Sequence, residues 1–206
     1  LAVASNNLQK LENFKKQFFI EEKFAYQNYE DLINCKDVDI VYIALPNSFH
    51  FYWINECIKI NKHILVEKPA TLNFEEAKNI DNKLLNKDIF FGEAFMYRYH
   101  PQIKHILDMI KDDTIGSLIS MESSFGVNIL TKRKFLFFEK KRKINENDRR
   151  FNKELGGGCI LDLGCYPTSF SLLMNSIHNK IDNFDFSLSN ISKDIGEMGV
   201  DLHSNA

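Results

Sequence analysis

Apolar runs and amphipathic stretches alternate along the first 95 residues. "LAVAS" (1–5) reads as an apolar strand. Asn6 or Asn7 can then cap a helix that brings Leu8, Leu11, Phe14 and Phe18 to helical spacing. "KFAYQ" is a short strand and Tyr29–Asn34 a short helix. "VDIVYIAL" (38–45) is continuously apolar and β-branched after Asp39, the pattern of a parallel strand buried on both faces. Residues 48–60 predict a helix with Trp53, Ile54, Cys57 and Ile58 inward. "KHILVE" is the next strand. Asn73, with Glu76 three residues on, has capping-box spacing and opens a helix to about Asn86. "DIFFGEAF" is the last strand of the series. Strands joined by helices of about 10–15 residues imply a parallel doubly wound sheet.

Beyond about residue 95 the pattern changes. Pro101 opens a helix carrying Ile103, Ile106, Leu107 and Ile110. "SLISMESSFGV" predicts a long strand. A basic, Phe-bearing segment (132–143) precedes "RRFNKELGGGCILDLGCYPTSFSLLM". The tail, "NFDFSLSNISKDIGEMGVDLH", alternates apolar and polar positions as a half-exposed antiparallel sheet does. The expected fold class is α/β, with residues 1–95 in a parallel doubly wound domain and residues 96–206 in a second, α+β domain. The opening on Leu1, in what reads as the second half of a strand, and the stop before a clear terminal cap suggest a fragment at both ends.

Composition narrows the classes. The 206 residues are 44% apolar, enough for a real core. A net charge of −2 gives no global basic field to steer the chain to nucleic acid or a membrane surface. There is no run of about 18 apolar residues to span a bilayer, and no secretory pattern opens the chain. Cys35, Cys57, Cys159 and Cys165 are scattered without metal spacing, and His63, His105, His178 and His203 show none either. Reduced thiols in a cytoplasmic protein are the expectation.

In open α/β sheets ligands bind beyond the carboxyl ends of the strands. Three such ends carry polar residues: Ser5-Asn6, Pro46-Asn47 with His50, and Glu67-Lys68-Pro69. Turn chemistry alone explains each singly; together, on one edge, they suit a cofactor. The glycine fingerprint of a dinucleotide-binding turn is absent. If "LAVAS" is a second strand, that fingerprint belongs about 25–30 residues before Ser5. A second constellation is "GGGCILDLGCY". Glycines 156–158 permit close backbone approach or positive φ at a helix entrance. Asp162 and Tyr166, four apart, share a helix face. Read alone, Asp162 serves equally as a first-turn acid and Tyr166 as a core residue.

"DIVYIALPNSFH", "HILVEKPATLN", "AFMYRYHPQ" and "LGGGCILDLGCYP" occur in that order. Together they resemble the Gfo/Idh/MocA family of NAD(P)-dependent sugar and polyol dehydrogenases. Tyr166, where many relatives carry His, points to the branch of glucose–fructose oxidoreductase, xylose dehydrogenase and dihydrodiol dehydrogenase. The resemblance implies that residues 1–95 are part of a dinucleotide-binding, Rossmann-type domain and that residues 96–206 are part of an α+β substrate or dimerisation domain with an open, mostly antiparallel sheet. It implies catalytic roles for Lys68 and Tyr166, which meet at the nicotinamide, and for Asp162, which helps hold a sugar-like substrate. Pro69 matches a proline often preceded by a cis bond. Leu45, Pro46, Asn47, His50, Glu67, Lys68 and Pro69 match the cofactor edge, with His50 reading equally as structural. Arg98 and Arg150 match arginines near the cleft. No metal is implied, and the full-length parent is expected to be a dimer.

Oxidising an alcohol requires hydride transfer to the nicotinamide and removal of the hydroxyl proton. A tyrosine takes that proton only if its pKa falls from about 10, and a nearby ammonium lowers such a group by about one to three units. Lys68 would supply that charge; either residue can be the immediate acid or base. Cofactor choice turns on Ser5 and Lys10. No acid follows "LAVAS" to hold a ribose hydroxyl, and a serine with a lysine one turn on keeps part of an NADP pattern, so NADP is favoured over NAD. Three rivals remain. One is a non-catalytic sugar- or cofactor-sensing protein of the same fold, opposed by the intact Lys68, Asp162 and Tyr166. One is an inactive fragment. The third is single-strand binding through "TKRKFLFFEKKRK", where seven of thirteen residues are basic; the acidic balance of the whole chain argues for no nucleic acid.

Overall fold

A computed structural model of the chain describes residues 1–134, 138–141, 145, 148–179 and 187–206. It divides into two compact units, one of residues 1–45 and 49–94, the other of 46–48 and 95–206.

The first unit is built from parallel strands and helices. β1 (Val3–Ala4) leads into α1 (Leu8–Gln17), whose cap is Asn7: its side chain accepts from the Lys10 amide at 3.0 Å. β2 (Ala25–Tyr26) pairs with β1 in parallel, and α2 (Tyr29–Asn34) follows. β3 (Ile40–Ile43), α3 (Asn47–Lys59), β4 (His63–Val66), α4 (Phe74–Leu84) and β5 (Phe91–Glu93) complete the alternation, with parallel order β3-β4-β5. α4 is capped at Asn73, as the capping spacing predicts, with Glu76 reaching back one residue past the cap. Asn73 accepts from the Glu76 amide at 2.9 Å, and Glu76 reaches back to the Leu72 amide at 3.0 Å.

The core lies where α3 covers the sheet. Trp53, Ile54, Cys57 and Ile58 are buried against Val41, Ile43, Ile64 and Val66. Burial pushes the Cys57 thiol up to about 11, as expected for an inert core cysteine. β3 departs from the expected burial on both faces. Val41 and Ile43 are buried, but Ile40 and Tyr42 are 52% and 55% exposed. β3 is the edge strand of its three-stranded sheet, and Ile40 and Tyr42 line a cavity of about 750 Å³ together with Val3, Ser5, Lys10 and Trp53. β1-β2 and β3-β4-β5 are separate sheets beside it. On α1 only Leu11 is buried; Leu8, Phe14 and Phe18 remain substantially exposed.

The second unit is helix and hairpin. α5 (Pro101–Lys111) keeps Ile103, Ile106, Leu107 and Ile110 half-buried. "SLISMESSFGV" is not a strand: residues 117–127 form no ladder with another described residue, and Ile119 is 95% exposed. Apolar alternation makes no strand where backbone partners are lacking. Two antiparallel pairs stand in place of a wider open sheet among the described residues, β6 (Thr131–Lys134) with β7 (Phe138–Lys141) and β8 (Ser192–Ile195) with β9 (Asp201–Asn205). Parts of two sequence expectations, the basic segment at 135–137 and 142–144 and the tail at 183–186, lie outside the described residues. A π-wound turn (Ile160–Gly164) runs into α6 (Cys165–Asn179). Phe95, Phe151, Met174 and Val200 are buried in this unit.

Candidate active site

In the first unit, Lys68 follows a strand that leaves the sheet. Parallel pairing brings the carboxyl ends of β3, β4 and β5 to one edge. The Glu67 amide still donates to the Ile43 carbonyl at 2.9 Å, so the ladder reaches the residue before Lys68. The Lys68–Pro69 bond is cis. The Ala70 amide donates to the Glu93 carboxylate at 2.8 Å, tying the turn to the end of β5.

His50 closes the arrangement. It is fully buried, with Nδ1 2.8 Å from the Pro69 carbonyl and Nε2 2.8 Å from the Leu45 carbonyl. In a neutral ring one N–H donates to one carbonyl; a protonated ring donates to both. Both nitrogens therefore face backbone, and His50 acts as a clamp between the end of β3 and the lysine turn. Glu67 accepts a hydrogen bond from the Tyr42 hydroxyl. Burial, then the Glu67 carboxylate, push the Tyr42 phenol up to about 12. Ser5 accepts from the Asn7 amide at 3.2 Å and, with Lys10, lines the large cavity.

Tyr166 belongs to the second unit. Asn152 accepts from the Glu154 and Leu155 amides and begins the turn into the glycines. Gly156 and Gly158 have φ of 76° and 117°. A Cβ on Gly157 would stand 2.7–2.8 Å from three backbone carbonyls. These are the positive φ and close approach that the triplet implied. The Asp162 amide donates to the Gly158 carbonyl at 3.0 Å, and the Cys165 amide to the Ile160 carbonyl five residues back. Single π turns of this kind gather at functional sites.

Tyr166 stands edge-on to Phe95 and Phe125, with centroids 5.6 and 5.3 Å away, a geometry that fixes its ring plane. In the same unit the Asn47 amide donates to the Gly156 carbonyl at 3.0 Å, and Asn47 is buried. Arg98 donates to Ser169 Oγ at 2.8 Å over the Phe95 ring, and Arg150 grips Asp148 through two nitrogens. Both guanidinium groups thus have protein partners. Pro46, Asn47, Arg98, Arg150, Asp162 and Tyr166 share this unit; Ser5, Lys10, Leu45, His50, Glu67, Lys68 and Pro69 share the other.

Residues missed by sequence reasoning are Tyr42, Asn152 and Asp201. Asp201 approaches the Cys159 thiol at 2.9 Å and the Ile160 amide at 2.7 Å. Its partners lie about 40 residues earlier, so no local pattern announces it. Among the described residues no cluster of three His, Cys, Asp or Glu could hold a metal, and no helix is long and apolar enough to cross a membrane.

Residues 1–92 match the model of an oxidoreductase family with an NAD-binding Rossmann fold, GFO_IDH_MocA. The chain is 30% identical over 166 residues to dTDP-3,4-didehydro-2,6-dideoxy-alpha-D-glucose 3-reductase of Actinomadura kijaniata, covering 81% of this chain and 45% of that protein. It is 29% identical over 170 residues to trans-1,2-dihydrobenzene-1,2-diol dehydrogenase of Xenopus tropicalis, covering 82% and 46%. A mutant of KijD10, a 3-ketoreductase from Actinomadura kijaniata, in complex with TDP-benzene and NADP, superposes with a TM-score of 0.66 at 27% identity, covering 84% of this chain and 48% of that one. The chain spans about half the length of these relatives.

Proposed function

The chain belongs to the Gfo/Idh/MocA oxidoreductase family, and from that premise we propose that it is part of an NAD(P)-dependent dehydrogenase or reductase acting on a sugar, polyol or related hydroxy or carbonyl compound. The observation that carries the reading is the placement of Lys68 on a turn at the carboxyl edge of β3-β4-β5, fastened by His50 and Glu93.

The residues suit a nicotinamide nucleotide. Strand ends with Leu45, Pro46 and Glu67–Pro69 form the edge where such ligands lie. The Ser5 hydroxyl and Lys10 ammonium, with no acid among residues 1–10, offer a donor and a cation to a 2′-phosphate, so NADP is the favoured cofactor. When bound, the nicotinamide supplies or accepts the hydride. The chain's own residues handle the proton. Tyr166 exchanges it with the reacting oxygen, and the edge-on rings of Phe95 and Phe125 hold the phenol in one orientation. Lys68 supplies the positive charge that favours the phenolate. Asp162 accepts hydrogen bonds from substrate hydroxyls. The Tyr42–Glu67 bond keeps Glu67 aimed along the cofactor edge.

The test follows nucleotide absorbance at 340 nm with NADPH or NADP and a panel of keto sugars, aldoses and polyols. Turnover with at least one member, faster with the 2′-phosphorylated nucleotide, is expected. No turnover across the panel, with nucleotide bound, would favour the sensing reading instead. Light scattering of the full-length parent at rising concentration tests the dimer expected of it.

A further inference from the structure

The second unit contains a carboxylate that the proposed chemistry does not use. Asp201 opens β9, at the point where the β8–β9 ladder loses register. Asp194 pairs with His203, but Ile195 pairs with Asp201, so Leu202 is the extra residue of a bulge. Bulges re-aim side chains, and this one aims Asp201 at the glycine turn. Its Oδ2 accepts from the Ile160 amide at 2.7 Å, the Cys159 thiol at 2.9 Å and the Ser204 hydroxyl at 3.3 Å. Its Oδ1 stands where a Cβ on Gly158 would be, 2.2 Å away, so glycine at 158 is what lets the carboxylate in.

We propose that Asp201 is a positioning residue for Asp162 and Tyr166, fixing from outside the helix the first turn on which both are carried. Amides at a helix start lack intrahelical acceptors. An anion on one of them both satisfies it and suits the dipole. Here the anchor is 41 residues distant in sequence, so it locks the helix start to the final hairpin rather than to its own loop. Ile160 is two residues before Asp162, so a shift of this amide moves both functional side chains together. The inference rests on the roles proposed for those two residues, but its geometry stands apart from them. Burial tends to raise the Asp201 carboxyl, yet the thiol, amide and hydroxyl donors hold it below its ordinary value. Reciprocally, burial and then Asp201 hold the Cys159 thiol above its ordinary value.

The experiment uses Asp201→Ala and Asp201→Asn in the whole chain, with Ser204→Ala as a mild control. Three readouts follow: amide exchange at Ile160, alkylation of Cys159 at pH 8 resolved by mass, and the ring signals of carbon-13-labelled Tyr166. In Asp201→Ala, exchange and alkylation should each rise at least about threefold and the Tyr166 signals should shift. Asp201→Asn, which keeps an acceptor for the amide, should restore the Tyr166 signals while leaving Cys159 more reactive than in the parent. Unchanged Tyr166 signals in a folded Asp201→Ala would overturn the inference. So would Tyr166 signals as disturbed in Asp201→Asn as in Asp201→Ala, because the amide anchor would then not be the cause. Where turnover is measured, Asp201→Ala should lower kcat with the nucleotide KM within about twofold. Absence of turnover in the parent chain bears on the proposed function alone, since the three readouts do not require it.

Discussion

Lys68 leaves a strand whose Ile64 and Val66 are fully buried, paired on both sides with parallel neighbours. Tyr166 enters a helix through a π turn, and the hairpin that anchors the turn has an outer strand exposed along its whole length. The lysine turn is therefore positioned by a packed core plus a few backbone clamps. The tyrosine is positioned by aromatic edges and by single hydrogen bonds that span long stretches of chain. Apolar packing distributes the work over many contacts, each small. Hydrogen-bond anchors concentrate it, so one substitution can matter more.

The largest effect that separates the two should come from Lys68 and Tyr166, the pair proposed to handle the proton. Tyr166→Phe keeps the ring that packs on Phe95 and Phe125 but removes the hydroxyl, and Lys68→Met keeps the stem and removes the charge. Each should lower kcat by about 10²–10⁴, the usual range for a general acid or base, with nucleotide affinity changed little. Combined, they should cost much less than the product of the single losses, because they act as one unit. Steady-state kinetics of the three variants decides it. Wild-type turnover in either single variant removes that residue from the mechanism.

Much of the lysine side was legible in sequence, because parallel strands announce themselves. The continuous apolar runs at 40–43 and 64–66, the Asn73–Glu76 capping spacing and the inward set on α3 all depend on neighbours within a few residues. What misled was burial. Ile40 and Tyr42 are as apolar as a doubly covered strand requires, yet they lie on an edge strand and line a cavity, more than half exposed. On the tyrosine side the glycine triplet and the Asp162–Tyr166 spacing were legible, but the π winding and the Asp201 anchor were not. An i to i+5 turn has the same residue composition as an α turn, and a bulge 41 residues away leaves no periodic trace. Residues 117–127 show the converse error, alternation without a partner strand.

The next effect tests the packed side. Ile54 has no exposed surface and sits at the centre of the α3 contact with the sheet. Ile54→Ala should cost about 2–5 kcal/mol, the range for emptying a full core site, read from urea denaturation. If the comparison holds, the loss is global and Lys68 moves only when the first unit unfolds. A cost below about 1 kcal/mol would mean that the core collapses around the gap and that packing does not fix the turn.

His50 sharpens the point from the same unit. Replacing it with Ala removes the ring between the Leu45 and Pro69 carbonyls, at about 1–3 kcal/mol for the carbonyl that loses its N–H donor. His50→Gln, long enough to reach one carbonyl, should recover part of that. Denaturation midpoints give the cost, and amide exchange at residues 67–71 shows whether the turn has loosened. Unchanged exchange in His50→Ala would show that Glu93 and the strand ladder suffice without the clamp.

The smallest effects form a matched pair of asparagine caps. Asn73 accepts from the Glu76 amide at 2.9 Å at the head of α4, and Asn152 accepts from the Glu154 and Leu155 amides at 2.9 and 3.2 Å before the glycine triplet. Each change to Ala should cost about 1 kcal/mol, the usual worth of such a cap. The consequences should differ. Behind Asn73 lies a helix docked on the core through Ile80, which is buried, so its loss should lower the denaturation midpoint and little else. Behind Asn152 lies the turn whose carbonyl receives the Gly157 amide at 2.9 Å, and that turn leads into Asp162. Asn152→Ala should therefore raise amide exchange across 156–162 and lower kcat by several-fold at an equal stability cost. Equal kcat losses in the two variants would show that the tyrosine side is as distributed in its support as the lysine side, and that the contrast between packing and anchoring does not hold.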